Sequence, residues 1–238
     1  MRLDRYLSEA GVASRRQAAA LIKRGAVTVD GGIASRVDAV VTPGVSRVML
    51  NGEEVDWREN WYLMLNKPEG YVSSTDDPGA PTVLTLLPEK YARFALFPCG
   101  RLDRNTTGLM LLTTDGPLAH HLLSPKHHVT KRYRYEVKYP LSEADVAALE
   151  QGIEIEGGYT TLPCRVFPEG ERQGVIELTE GKYHQIKLMM KAVHNQVRSL
   201  CRISFGPLTL DENLELGKVR ELSEEEISAL RRAQTEKL

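Results

Sequence analysis

The chain changes character near residue 60, and that break constrains its fold more than any single motif. Before it, Leu3, Tyr6, Leu7 and Ala10 recur at helical spacing, and Gly11 follows as a cap. Ser14 with Gln17 forms a capping-box signal for a second helix through Ala18, Leu21 and Ile22, which Gly25 ends. Residues 27–29 then read as a strand, Asp30-Gly31-Gly32 as a tight turn, and residues 47–50 as a last strand before a turn and a linker. Beyond the linker, residues 62–66 read as a strand that Lys67-Pro68-Glu69-Gly70 interrupts, since proline cannot continue a central ladder. The expected division is a small module over residues 1–58 and a larger domain over 59–238.

Charge follows the same division. The whole chain carries 31 Lys and Arg against 32 Asp and Glu, a net charge of -1. Within the first fifty residues, Arg2, Arg5, Arg15, Arg16, Lys23, Arg24, Arg36 and Arg47 outnumber Asp4, Glu9, Asp30 and Asp38 by four, leaving -5 for the remainder. A cation-rich module on an otherwise acidic protein suits attachment to a phosphate backbone, with RNA the expected partner.

In the larger domain, residues 133–139, 174–179 and 200–203 are strand-like, and residues 117–123, 143–151, 184–194 and 224–232 helix-like. Strands and helices do not alternate strictly, which argues against a doubly wound parallel sheet and for a mainly antiparallel or mixed sheet with packed helices. The overall class is α+β. No apolar run approaches the ~20 residues of a membrane span, and no leader is visible, so a cytoplasmic protein is expected. Cys99, Cys164 and Cys201 are odd in number and form no C-x-x-C pair, so neither a disulfide framework nor a zinc knuckle is indicated. The pairs His120-His121 and His127-His128 are adjacent in sequence, which splays their rings and disfavours a shared metal. P-loop, dinucleotide-fold and nucleophile-elbow motifs are missing.

The segment from Cys99 to Leu109 is unusual. Asp103 lies between Arg101 and Arg104, with Gly100 and Gly108 on either side and the apolar run 109–112 after it. Neighbouring cations favour the charged form of a carboxylate, which suits a nucleophile or electrostatic stabiliser better than a proton donor.

Gly100-Arg101-Leu102-Asp103 followed by Thr107-Gly108-Leu109 resembles the signature of the RluA/RsuA-type pseudouridine synthases. Leu65-Asn66-Lys67-Pro68-Glu69-Gly70-Tyr71, Lys131-Arg132-Tyr133 and Glu180-Gly181-Lys182-Tyr183-His184-Gln185-Ile186-Lys187 are similar to three further motifs of that family, in the same order. Ser73-Ser74-Thr75-Asp76-Asp77-Pro78 looks like the small-subunit branch, and the N-terminal module resembles the RNA-binding domain named after ribosomal small-subunit protein four. Leu188, Met189 and Met190 stand where basic residues often follow the last motif.

The resemblance implies a catalytic domain with a central cleft, and an isomerase that detaches a uracil from its ribose, rotates it and rejoins it through carbon 5. No cofactor and no metal are implied. Asp103 would attack the anomeric carbon or abstract a ribose proton to give a glycal. Lys187 would pair with it, and Tyr133 would pack on the uracil and assist at the carbon-5 proton. Arg101 is the candidate to fill the space left by the everted base. Lys182, His184, Gln185 and Ile186 would bind substrate, and Arg2, Arg5, Arg15, Arg16, Lys23 and Arg24 the surrounding RNA. Cations at 126, 131, 132, 134 and 138, and at 182, 187, 191, 198 and 202, are expected to line a positive groove.

The expected substrate is 16S rRNA, within an assembling small ribosomal subunit, acted on by a monomer. The rivals are the same chemistry on 23S rRNA, a non-catalytic RNA-binding assembly protein, and a glycosylase that would release free uracil.

Overall fold

The computed structural model describes residues 1–235 and divides into two units, Met1–Asn60 and Trp61–Leu238. In the first, α1 (Leu3–Glu9) packs on α2 (Arg15–Lys23), whose start carries the capping box: Ser14 accepts from the Gln17 backbone, and the Gln17 side chain accepts from Ser14. Strands β1 (Val27–Val29), β2 (Gly32–Ile33), β3 (Val48–Leu50) and β4 (Glu53–Glu54) form an antiparallel sheet in the order β2-β1-β3-β4. Asp30-Gly31 and Asn51-Gly52 make both hairpin turns with positive φ at each central residue, the geometry that matches strand twist. Residues 53–54 therefore pair back onto β3, where a linker was expected. Leu3, Leu7, Ala18, Ile22, Val27 and Val48 fill this unit's own core, and Trp57 stacks on Tyr6 at its edge.

The second unit is built on β5 (Tyr62–Lys67), β6 (Phe97–Pro98), β7 (Thr107–Thr113), β8 (Lys131–Val137), β11 (Arg165–Pro168), β12 (Gln173–Leu178), β13 (Val197–Phe205), β14 (Leu208–Thr209) and β15 (Val219–Glu221). The short pair β9 (Glu154–Ile155) and β10 (Tyr159–Thr160) stands apart from this sheet. The main order is β11-β12-β8-β13-β7-β5-β15, with β14 added to β13 and β6 to β7. Every pairing is antiparallel except β13 with β7, so the sheet is mixed but mainly antiparallel.

Helices cover both faces. Leu63, Leu65, Met110 and Leu112 point into one core, with Leu149 of α4 (Glu143–Gln151) and Met189 and Met190 of α5 (Gln185–Ala192). Met64, Leu109 and Leu111 point into the other, with Leu118 and Leu122 of α3 (Gly116–Leu123) and Leu230 of α6 (Glu224–Thr235). Side chains alternate across a strand, so a strand covered on both faces is apolar at every position. The uninterrupted run 109–112 is thus the signature of β7 as an interior strand.

Gly108 permits the one parallel crossing. Its φ is +100°, and a Cβ there would lie 2.3 Å from the Arg202 carbonyl oxygen of β13. Any side chain would force these strands apart just downstream of Asp103.

Candidate active site

The loops at the ends of β5 and β7 build the floor of a cleft. Lys67, at the end of β5, is fully buried, and its Nζ donates to the carbonyl oxygens of Pro68 (3.1 Å), Asp103 (3.0 Å), Arg104 (3.3 Å) and Thr106 (2.9 Å). One ammonium thereby gathers the loop that leads into β7. Burial pushes Lys67 down to about 8, against the opposing pull of the Asp103 and Glu69 carboxylates. Two more ties act on the same loop. Ser73 Oγ donates to the Leu102 carbonyl at 2.9 Å and accepts from its N–H at 3.0 Å. The Gly70 N–H donates to the Arg104 carbonyl, and Arg104 Nε returns a bond to the Gly70 carbonyl.

These ties present the Asp103 side chain, one quarter exposed, to the cleft. Lys187 Nζ lies 2.6 Å from its Oδ2 and also donates to Asn105 Oδ1 at 2.6 Å. His184 Nε2 lies 3.5 Å from Oδ1. The cation beside Asp103, Lys187, thus comes from α5, more than eighty residues away in sequence, and not from the flanking arginines. Arg104 is turned to Gly70, and Arg101 is exposed with no ion pair or hydrogen bond among the described residues.

The cleft has a volume of about 430 Å³, the size of a small-ligand site. Arg101, Asp103, Tyr133, Lys182, His184, Gln185, Ile186 and Lys187 all border it, although they come from three distant stretches of chain. Tyr133 lies almost wholly inside, its ring contributing to the core under the cleft wall. Ile186 is buried beside it.

Gln185 is differently employed. Its Nε2 donates to Glu180 Oε1 at 2.6 Å, and its Oε1 accepts from the Lys182 N–H at 2.9 Å. Both ends of the amide are engaged within the 180–185 turn, so Gln185 also shapes the wall of the cleft it borders. Lys67, Ser73 and Asn105 were missed as site-forming residues. Lys67 stood in a motif similar to the family's and beside a strand-breaking proline, but neither signal told what its ammonium holds.

The positive groove is narrower than the charge count suggests. Arg202 is buried, donating from Nε to the Leu109 carbonyl at 2.7 Å and lying over the Phe205 ring. Burial lowers Lys131 to about 8, with the Arg202 charge adding to the effect. Arg132 and Arg134 face Glu177 and Glu169, and Lys191 pairs with Glu156. In the N-terminal unit, Arg2 and Arg5 pair with Asp4 and Glu9, whereas Arg15, Arg16, Lys23 and Arg24 are exposed and make no ion pair among the described residues. His121 and His127 stack at 3.8 Å, and His121 meets the Ala233 carbonyl, so this pair ties α3 to α6. Among the described residues, no cluster of three or more His, Cys, Asp or Glu is placed to hold a metal ion, and no helix is long and apolar enough to cross a membrane.

Comparison with known proteins converges on one group. A family model described as RNA pseudouridylate synthase matches residues 61–192, and an S4 domain model matches residues 1–45. An uncharacterized RNA pseudouridine synthase of Bacillus subtilis is 47% identical over 98% of this chain and all of its own length. Ribosomal small subunit pseudouridine synthase A of Salmonella typhimurium is 39% identical, and that of Escherichia coli 38%, each over 97% of this chain and 100% of the relative. A crystal structure of a pseudouridylate synthase superposes with a TM-score of 0.69 at 36% identity, covering 97% of this chain and 99% of the other.

Proposed function

The chain belongs to the RNA pseudouridylate synthase family, and we propose that it isomerises one uridine of small-subunit (16S) ribosomal RNA, with Asp103 as the reacting carboxylate. The observation that carries this reading is the Asp103–Lys187 pair at 2.6 Å on the floor of a cleft that Tyr133 also borders. The resemblance of the small-subunit synthases over nearly the full chain supports the choice of RNA.

The reaction exchanges one bond for another. The ribose C1′–N1 bond breaks, the uracil turns, and a C1′–C5 bond forms, while a proton leaves C5 and N1 gains one. Asp103 starts this by attacking C1′ or by taking a ribose proton; both routes need an anionic carboxylate. Lys187 supplies the counter-charge at Oδ2, and the Asp103 side chain stays one quarter exposed. Tyr133 offers a ring to the uracil and a hydroxyl for the C5 proton. A stacked uridine has to be turned out to reach Asp103. Arg101, exposed at the rim, fills the gap it leaves, since a planar guanidinium stacks and donates hydrogen bonds together.

The protein acts as a monomer on an assembling subunit in the cytoplasm, and the free cations of α2 hold the surrounding RNA. The test is modification of 16S RNA, naked and with ribosomal proteins, by the wild type and by Asp103→Asn. Pseudouridine at one site with the wild type and none with the variant is expected. Modification of 23S RNA alone would reassign the substrate, and equal activity of Asp103→Asn would displace the site.

A further inference from the structure

We propose that Tyr183 is a stacking platform for the nucleotide beside the everted uridine, and so helps to select the sequence around the target. This rests on the chain modifying RNA as argued above. Three exposed aromatic rings stand out among the described residues: Tyr139, Phe167 and Tyr183. The first two are covered by their own cations, Lys138 at 4.9 Å and Arg132 at 5.5 Å. Tyr183 is 74% exposed and alone of the three borders the cleft. One face of its ring lies on His184, with centroids 3.8 Å apart and planes 20° from parallel; its other face meets no ring or cation among the described residues.

The turn that carries the ring is also held in place. Glu180, which is buried, accepts from Tyr159 Oη, the Leu162 N–H and Gln185 Nε2 at 2.6, 2.8 and 2.6 Å, fixing one end of the turn. Gln185 holds the Lys182 N–H, and Lys182 Nζ lies over the Tyr159 ring at 4.5 Å. A large apolar ring held open to solvent at the mouth of a nucleic-acid site matches how proteins take up unstacked bases. Tyrosine supplies that area at little cost in conformational freedom. The sequence of contacts runs from the open face of Tyr183 through His184 to Asp103 Oδ1 at 3.5 Å. A base seated on Tyr183 therefore lies one ring away from the group in contact with the reacting acid.

The test is a cycle between Tyr183→Ala and RNA carrying an abasic nucleotide immediately 5′ or 3′ of the uridine that the wild type modifies. Stacking predicts that the variant, and an abasic site on one flank, each raise KM by between about fivefold and about a hundredfold. Combined, they should do no more than the larger alone, and Tyr183→Phe should behave as wild type. Additive losses at both flanks overturn the proposal. So does an unchanged KM with an altered kcat and pH profile, which would mean that Tyr183 acts only through His184. Failure of the wild type to form pseudouridine in any ribosomal RNA would overturn the functional reading, and this proposal with it. The exposure of Tyr183 lets Tyr183→Ala fold normally, which a thermal melt checks.

Discussion

Asp103 is gripped from two directions: Lys67 binds its main-chain carbonyl and Lys187 its side chain. The two lysines do different work, and substitution separates them. Lys187→Met leaves the loop in place and removes the counter-charge, so kcat should fall by about a hundredfold or more while the melting temperature barely moves. Arg101→Ala removes an exposed side chain with no partner among the described residues, so RNA affinity should stay within about threefold while turnover drops by at least tenfold. Gel-shift titration beside single-turnover kinetics checks both. At this scale the family resemblance singled out Asp103, Tyr133 and Lys187, and the fold brings all three to one cleft. The motif that holds Lys67 was visible but its task was not, because its partners are main-chain oxygens, which leave no trace in side-chain identity. Asn105 and Ser73 escaped notice for a related reason. Both are common polar residues, and only the folded loop shows what they hold.

Elements carry the next level of support. Because β5 ends in the lysine that gathers the catalytic loop, Lys67→Met should cost stability as well as activity. It strands several buried carbonyls, at a cost of about 2–4 kcal/mol in urea unfolding. On the far side, Arg220 joins Asp211 and Glu226 at 2.7 and 2.8 Å, fastening β15 to the start of α6. The Arg220 hydrogen bonds hold Glu226 below the usual carboxylate range. A depressed folded value stabilises fully above the unfolded value of ~4.3 and loses that effect as pH falls through the folded one. The melting difference between wild type and Glu226→Gln should thus be largest near neutral pH, about 1 kcal/mol, and vanish once the pH has fallen below the depressed folded value. The helix capped by Ser14 was readable because capping is local chemistry. Strand β7 was harder, since an apolar run without alternation fits a buried strand or a buried helix equally. Its parallel partner β13 lies more than ninety residues away, and no local signal links them.

For the whole molecule, the break near residue 60 reflects two units that share no core: the first has one, and the second has one on each face of its sheet. The charge asymmetry was legible, but not which cations are free, because pairing depends on what each folded surface places nearby. Four exposed cations of the N-terminal unit remain available: Arg15, Arg16, Lys23 and Arg24. Replacing all four with glutamine should weaken RNA binding and flatten the dependence of log K on log salt by up to about 3, with kcat at saturating RNA changed less than about twofold. Binding isotherms at several salt concentrations decide this. The four-carbonyl grip of Lys67 has a further consequence. Under the proposed mechanism, an acid whose loop is tied to the end of an interior strand cannot travel toward its target, so the distortion needed for contact falls on the RNA. Among uridines of equal sequence context, the enzyme will favour those in hairpins or junctions that open most cheaply.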